Sequence, residues 1–467
     1  MDLKQAWKQH YSVTPRQLER MKDVRGVASA FNANIDAVLK VQPDLALKWM
    51  EQLGLDEWQV LNRGPRSIAE PADVLRGFVE CFSKGVAQEW LVGSAETFTW
   101  MQDHLGHDRL QMGGQGGIIA NVMAVTGVQK VYVHCASHPS AQAGLFLDRP
   151  NLLAVDAEGR LARAAAVNRA TDLPLVHWIL EFDKDAELKI GGLTIKCPKS
   201  NRFIATYDPL NFVLHMDPGF DNAMEDSEIP LETVLLSGYQ MLGAGALSRI
   251  DASWERVALW KARHPGCRVH FEFASTQDIE IRKALATRLA PQADSVGFNE
   301  QEEIQILEAL GESALARECA ALDSVSLFKG MLKIFETFKI GRIQLHMFGL
   351  YVTLARLDEP TPSATIRDGM VFAATLAAAK AGTGSLESEE NLLWAHGREV
   401  SDHSLKELSA LAAHVALAFG AKELEQTGIV ETPGFRLVAV PTILIDQPVT
   451  LVGMGDTISS LSLVGAR

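Results

Sequence analysis

The residues in this chain best suited to chemistry lie in the run TLVGMGDTISS, beginning at Thr450. An apolar segment, VTLV, reads as a strand entering a turn of Gly453, Met454, Gly455 and Asp456, and TISSLSLVG reads as the start of a helix. Amides at a helix N-terminus point outward and carry partial positive charge, so such a turn is a ready anion site. Two glycines let a phosphoryl group approach the backbone, and a carboxylate beside it can orient and deprotonate an attacking hydroxyl. Aspartate also caps helices, and the local pattern leaves both readings of Asp456 standing. A second glycine-rich turn, MGGQGG with Gly113, Gly114 and Gln115, opens an apolar helix. It fits a ligand loop and a tight structural turn equally well.

The elements that must position these residues have an α/β grammar. VRGVASAFN is a strand leading into NANIDAV, the helix after MGGQ is followed by the strand QKVYVHC, and ETVLLSG, CRVHFEFA, DSVGF and RIQLHMF read as further strands with helices between them. Between about Leu173 and Asp208 the texture changes. LPLVHWILEF, LKIGGLTI and RFIATYD are consecutive strand-like runs without a helix, which suggests an antiparallel insertion, a natural lid.

The bulk properties remove several function classes. The 467 residues suggest two or three domains, and 47% hydrophobic residues fill a core. A net charge of −14 with no cluster of Lys and Arg speaks against nucleic-acid binding. Cys81, Cys135, Cys197, Cys267 and Cys319 are scattered without a CxxC pair, so they are expected to be reduced and buried rather than disulfide-bonded or zinc-bound. The charged N-terminus carries no signal-peptide core, and the longest apolar runs fall short of the ~20 residues of a membrane span. A cytoplasmic protein without a membrane partner is expected, as a monomer or small homo-oligomer. Neither a Walker A motif nor a GxGxxG fingerprint occurs, so neither a P-loop kinase nor a dinucleotide enzyme is indicated.

Taken with its neighbours, GMGDTISS resembles the GxGD signature of the ribokinase-like superfamily, and of the ADP-dependent glucokinases and phosphofructokinases in particular. The resemblance runs from Asn32 to about Gly465 through separated motifs in family order. It implies that Asn34 and Asp36 of NANIDAV, with Gly113, Gly114 and Gln115, bind sugar hydroxyls, and that His177 contacts sugar or phosphate. It implies an HxE motif at His270 and Glu272 and an NxxE motif at Asn299 and Glu302. Their hard carboxylate oxygens suit Mg²⁺. Arg202 is expected at the nucleotide phosphates, Asn299 also at the nucleotide and Val440 at the adenine pocket, with Asp456 as base and the Gly453 and Gly455 amides around the transferred group and nucleotide. The donor ADP follows from the resemblance alone. Glu89 matches a glutamate that glucokinases of the family carry, with Glu96 a competing match, and it favours glucose over fructose 6-phosphate.

The expected architecture is therefore a large parallel-sheet α/β domain flanked by helices. A small discontinuous β-rich lid is expected from about 35–110 and 172–210. The expected activity is ADP-dependent phosphorylation of glucose. A phosphofructokinase or bifunctional kinase, and a non-catalytic sugar- or nucleotide-binding regulator, are the alternatives.

Overall fold

Short runs of small and branched apolar residues with no polar alternation have no face to offer water. VASA (Val27–Ala30), TVLL (Thr233–Leu236) and SVGF (Ser295–Phe298) are buried at every position, as strands covered on both faces must be. The computed structural model, which describes residues 2–61, 66–276, 278–450 and 452–466, places them in the middle of an 11-stranded sheet. Its parallel strands are ordered Leu152–Val155, Val131–Val133, Val27–Ala30, Thr233–Leu236, Arg268–Glu272, Ser295–Phe298 and Arg342–Met347. Antiparallel strands Leu350–Ala355, Arg436–Pro441 and Ile429–Glu431 extend one edge, and Leu161–Arg163 closes the other. Glu272, Phe298 and Met347 thus end parallel strands along one edge, where open α/β sheets bind ligands.

A second sheet of five strands has the order Gln88–Leu91, Asn201–Tyr207, Val176–Phe182, Asn34–Lys40 and Arg109–Gly113. Helices Pro43–Gln52 and Pro71–Lys84 contribute to its own apolar core, which includes Trp49, Phe78, Phe82, Trp178 and Phe203. The chain reaches this sheet twice, after Val27–Ala30 and again before Val176–Phe182.

Three expectations need correction. Val176–Phe182 and Asn201–Tyr207 pair antiparallel as expected, but the sheet they join is mixed, because Asn34–Lys40 pairs in parallel with Val176–Phe182, and Asn201–Tyr207 with Gln88–Leu91. LKIGGLTI is not one strand but a hairpin, Glu187–Ile190 with Leu193–Lys196, turned at Gly191 with φ +56°. No strand forms from VTLV: Val449, Thr450 and Val452 lie in a loop, and Leu451 falls outside the described residues. A run of four residues is too short to distinguish a strand from a loop; here the Val449 amide donates to the Ala381 carbonyl instead of to a sheet neighbour. All five cysteines are buried, and none forms a disulfide among the described residues. No helix is long and apolar enough to cross a membrane among the described residues.

Candidate active site

The period-2 alternation of strands builds one wall of a cleft. Asp36 and His177 are register partners on neighbouring strands, and His177 is in turn the partner of Thr206. Their neighbours Ile35, Val176, Trp178 and Ala205 point the other way, into the small core. Asp36 and His177 face a cleft of about 240 Å³ that Asn34, Glu89, Ile179 and Arg202 also line, while Thr206 is buried beside them. Asn34 Nδ2 donates to Asp36 Oδ1 at 3.0 Å, while the buried Asn34 Oδ1 has no partner among the described residues. Glu89 Oε1 accepts from the Thr206 hydroxyl at 2.6 Å. Burial raises the Asp36 carboxyl, against the lowering effects of His177, Asn34 and Gln111.

The opposite wall comes from the large sheet. Gln115, the first residue of helix Gln115–Val125, donates from Nε2 to Asp456 Oδ1 at 2.7 Å and accepts from the Gly238 amide at 2.8 Å. The two motifs singled out in the sequence therefore meet through one side-chain bond. Gly113 and Gly114 are required here by close approach: a Cβ on Gly113 would stand 2.1 Å from Asp36 Oδ1, and one on Gly114 would stand 2.5 Å from the Asn32 carbonyl oxygen. Of the two, Gly114 lines the cleft; Gly113 is buried behind Asp36.

Gly453 caps helix Met454–Val464 with φ +60°, a left-handed conformation that costs a glycine nothing. Asp456 lies in the first turn without capping the helix, so the capping alternative does not account for it. Its carboxyl is buried, and burial raises it, opposed by the Gln115 hydrogen bond and by the Lys380 charge. Lys380 is itself buried. Its ammonium donates to the Gly453 carbonyl at 3.1 Å and to the Thr457 hydroxyl at 3.0 Å, and desolvation pulls it down to about 8.

Behind this turn sits a carboxylate cluster. Glu272, Glu302 and His346 offer ligand atoms within 4.8 Å of one another, and a Cβ on Gly455 would stand 2.9 Å from His346 Nε2. Both oxygens of Glu302 are aimed by backbone: Oε1 accepts from the Ser275 amide at 3.2 Å and Oε2 from the Asn299 amide at 2.8 Å. Asn299 in return caps helix Glu300–Ala309. Burial raises the Glu302 carboxyl to about 8, and raises Glu272 well above the usual range, with Glu302 and Asp456 adding repulsion. Two like-charged carboxylates held this close are what a divalent cation relieves, and hard oxygens suit Mg²⁺. His270 lies against the cluster without joining it: its Nε2 is 3.4 Å from Glu272 Oε2 and 2.7 Å from Ser459 Oγ, its Nδ1 is 3.0 Å from Ser295 Oγ, and burial pulls it down to about 3. Val440 is fully buried in Arg436–Pro441, near the same end of the sheet, and does not line the cleft.

The structure thus gathers Asn34, Asp36, Glu89, Gly114, Gln115, His177, Arg202, Gly453 and Asp456 around one cleft. Glu96 is exposed, in the first turn of helix Ala95–His104, and does not line it. His346, Lys380, Thr206 and Asp208 are site neighbours that sequence reasoning missed. A lone lysine in the alanine-rich run AATLAAAKAG was a readable signal, because a buried ammonium needs partners; His346 offered none.

Residues 25–465 match the family model described as ADP-specific Phosphofructokinase/Glucokinase conserved region. The chain is 29% identical to an ADP-specific phosphofructokinase of Methanosarcina acetivorans, over 99% of this chain and 97% of that protein. It is 28% identical to an ADP-dependent glucose/glucosamine kinase of Pyrococcus furiosus, over 98% of both. Among solved structures, the last common ancestor of ADP-dependent phosphofructokinases from Methanosarcinales superposes with a TM-score of 0.88 at 29% identity, over 100% of this chain and 99% of that one. An ADP-dependent kinase in complex with fructose-6-phosphate and ADPβS superposes with a TM-score of 0.81 at 27% identity, over 98% and 97%. The architecture is ribokinase-like, and the chain belongs to the ADP-specific phosphofructokinase/glucokinase family of ADP-dependent sugar kinases.

Proposed function

We propose that this enzyme transfers the terminal phosphoryl group of ADP to the 6-hydroxyl of glucose. The observation that carries the choice of sugar is the place of Glu89. It shares the small-sheet wall of the cleft with Asp36, so an anionic sugar phosphate meets two carboxylates on that wall, while neutral hydroxyls find acceptors. Asn34, Asp36, Gln115 and His177 orient the sugar. Asp456 accepts the proton of the attacking hydroxyl, and the amides of the Gly453–Gly455 turn receive the charge that spreads over the transferred oxygens. Positioning and charge neutralisation supply most of the acceleration in such transfers. Arg202 contributes from the small sheet, which makes that sheet, with the segments 35–110 and 172–210, the lid that excludes competing water. Backbone groups around Val440 meet the adenine.

Glu272 and Glu302, with His346 beside them, would hold Mg²⁺, which neutralises phosphate charge when bound. Glutamine at both 272 and 302 keeps shape, and keeps an acceptor for the Asn299 amide, but removes the anionic ligands. The double variant is expected to need ~10–100-fold more Mg²⁺ for half-maximal activity. Sugar KM should stay near wild type. An unchanged Mg²⁺ titration would remove both residues from the metal site.

Fructose 6-phosphate is the second reading, favoured by the phosphofructokinase relatives and by the guanidinium of Arg202 at the cleft. The decisive assay compares kcat/KM for glucose and fructose 6-phosphate, each with ADP and with ATP. Turnover of fructose 6-phosphate alone would overturn the glucose reading, and no turnover of either sugar would favour a non-catalytic binder.

A further inference from the structure

His177 is held from behind by a buried network that neither the motifs nor the proposed reaction uses. Its Nε2 lies 3.1 Å from Asp208 Oδ2. Asp208 is completely buried, just beyond strand Asn201–Tyr207. Its Oδ1 accepts from the Asn211 amide at 3.1 Å, and its Oδ2 also accepts from Asn211 Nδ2 at 2.8 Å. Asn211 Nδ2 reaches on to Asn32 Oδ1 at 3.0 Å. Asn32 and Asn211 are each 1% exposed. Asn32 sits where the chain first passes between the two sheets; Asp208 and Asn211 sit where it leaves the small sheet.

An ionised carboxylate only accepts hydrogen bonds, and donors from Asn211 engage both oxygens of Asp208. The nitrogen of His177 that faces it must therefore carry a proton. Nδ1 makes no hydrogen bond to the described residues, and His177 lines the cleft, so Nδ1 is the ring atom available to a ligand. A neutral imidazole with its proton on Nε2 would present only an acceptor at Nδ1. An imidazolium presents a donor there, which suits the oxygen acceptors of a sugar in a wall where Asp36 and Glu89 already accept.

We infer that Asp208 is a positioning residue that fixes His177 as a doubly protonated ring, so that Nδ1–H donates to a sugar oxygen in the cleft. The inference rests on the reading of this cleft as the sugar site. The charged groups facing the ring are Asp208 from the return segment, Asp36 from the neighbouring strand and Glu89 from the edge strand. Burial pulls the imidazole down, but the Asp208 hydrogen bond and charge, with Glu89 and Asp36 adding to them, override it and leave it at about 9. Sugar affinity in the wild type should accordingly hold across neutral pH and weaken only as the ring deprotonates near that value.

In Asp208→Asn the anionic acceptor is gone, and the ring falls toward its ordinary ~6.5, with the Glu89 and Asp36 charges still opposing burial. At pH 8.5 the sugar KM is expected to rise ~10–100-fold with kcat within about threefold of wild type. At pH 5.5, where the ring is protonated anyway, the KM deficit should shrink to within about threefold. A merely structural defect would lower kcat and stability at both pH values and give no such recovery.

Should the variant fail to fold, the wild-type enzyme still decides the matter. With ring-¹³C-labelled histidine, and His177 assigned by the resonance lost in His177→Gln, the sugar-free protein should show His177 still protonated at pH 8. Glucose or fructose 6-phosphate should then move that resonance. Titration of His177 below pH 7, or an equal KM deficit at both pH values, would overturn the role of Asp208 while leaving the cleft assignment intact. A protonated ring unmoved by either saturating sugar would overturn the cleft assignment, and the inference with it.

Discussion

Replacing Asp456 with asparagine is expected to lower kcat by ~10²–10⁴-fold while leaving sugar and ADP affinities nearly unchanged. The substitution keeps an oxygen for the Gln115 hydrogen bond, so the link between the two glycine turns persists. What it removes is the capacity to take a proton. The pH profile gives a second reading of the same role. Burial raises the Asp456 carboxyl, so the acid limb of kcat/KM should lie above the ordinary aspartate range, with activity lost as pH falls through it. Lys380 opposes that rise, and Lys380→Met should therefore push the acid limb to higher pH. The comparison belongs below pH 7, where the Lys380 ammonium, at about 8, is still charged. Asp456→Asn should abolish the limb altogether. Retention of more than roughly a third of wild-type kcat in that variant would remove Asp456 from the role of base.

How much of this could be read before the structure depends on which distance separates the partners. The GMGD turn was legible because its chemistry is local: glycine, glycine, carboxylate and helix start follow one another within four residues. The parallel core was legible because strands buried on both faces cannot alternate, and VASA, TVLL and SVGF do not. His346 was not, because RIQLHMF reads as an ordinary buried strand. Only its parallel pairing beside Ser295–Phe298, itself beside Arg268–Glu272, brings the ring to Glu272. The mixed character of the small sheet was hidden for the same reason. Its central strand, Val176–Phe182, is flanked by Asn201–Tyr207 from nearby in sequence and by Asn34–Lys40 from far away. Nothing in either segment states that pairing. VTLV failed on length alone, and Asp208 offered no pattern, since its role exists only through Asn211, Asn32 and His177 together.

Glu89→Ala is expected to cost glucose ~10–200-fold in kcat/KM, the scale of one or two polar contacts in a binding site. The same change should raise activity with fructose 6-phosphate, since one of the two carboxylates on the small-sheet wall of the cleft is gone and Arg202 remains on that wall. The gain is limited in two ways. Asp36 keeps its charge in the cleft, and Arg202 is the only lysine or arginine among the described residues that line it. Glu89 also accepts from Thr206 Oγ1 on the strand next to His177, so truncation leaves that buried hydroxyl without its partner and adds to the cost. Glu96→Ala is the control. Its side chain is exposed on a helix away from the cleft wall, and its substitution should leave the ratio of the two sugars within about twofold of wild type. The measurement is kcat/KM for both sugars in wild type, Glu89→Ala and Glu96→Ala at saturating ADP. A shift confined to Glu96→Ala would transfer the specificity role to the helix and overturn the role of Glu89. If neither variant moves the ratio, sugar choice rests with residues on the Asn34, Asp36 and Gln115 side of the cleft, and the carboxylate argument for glucose fails.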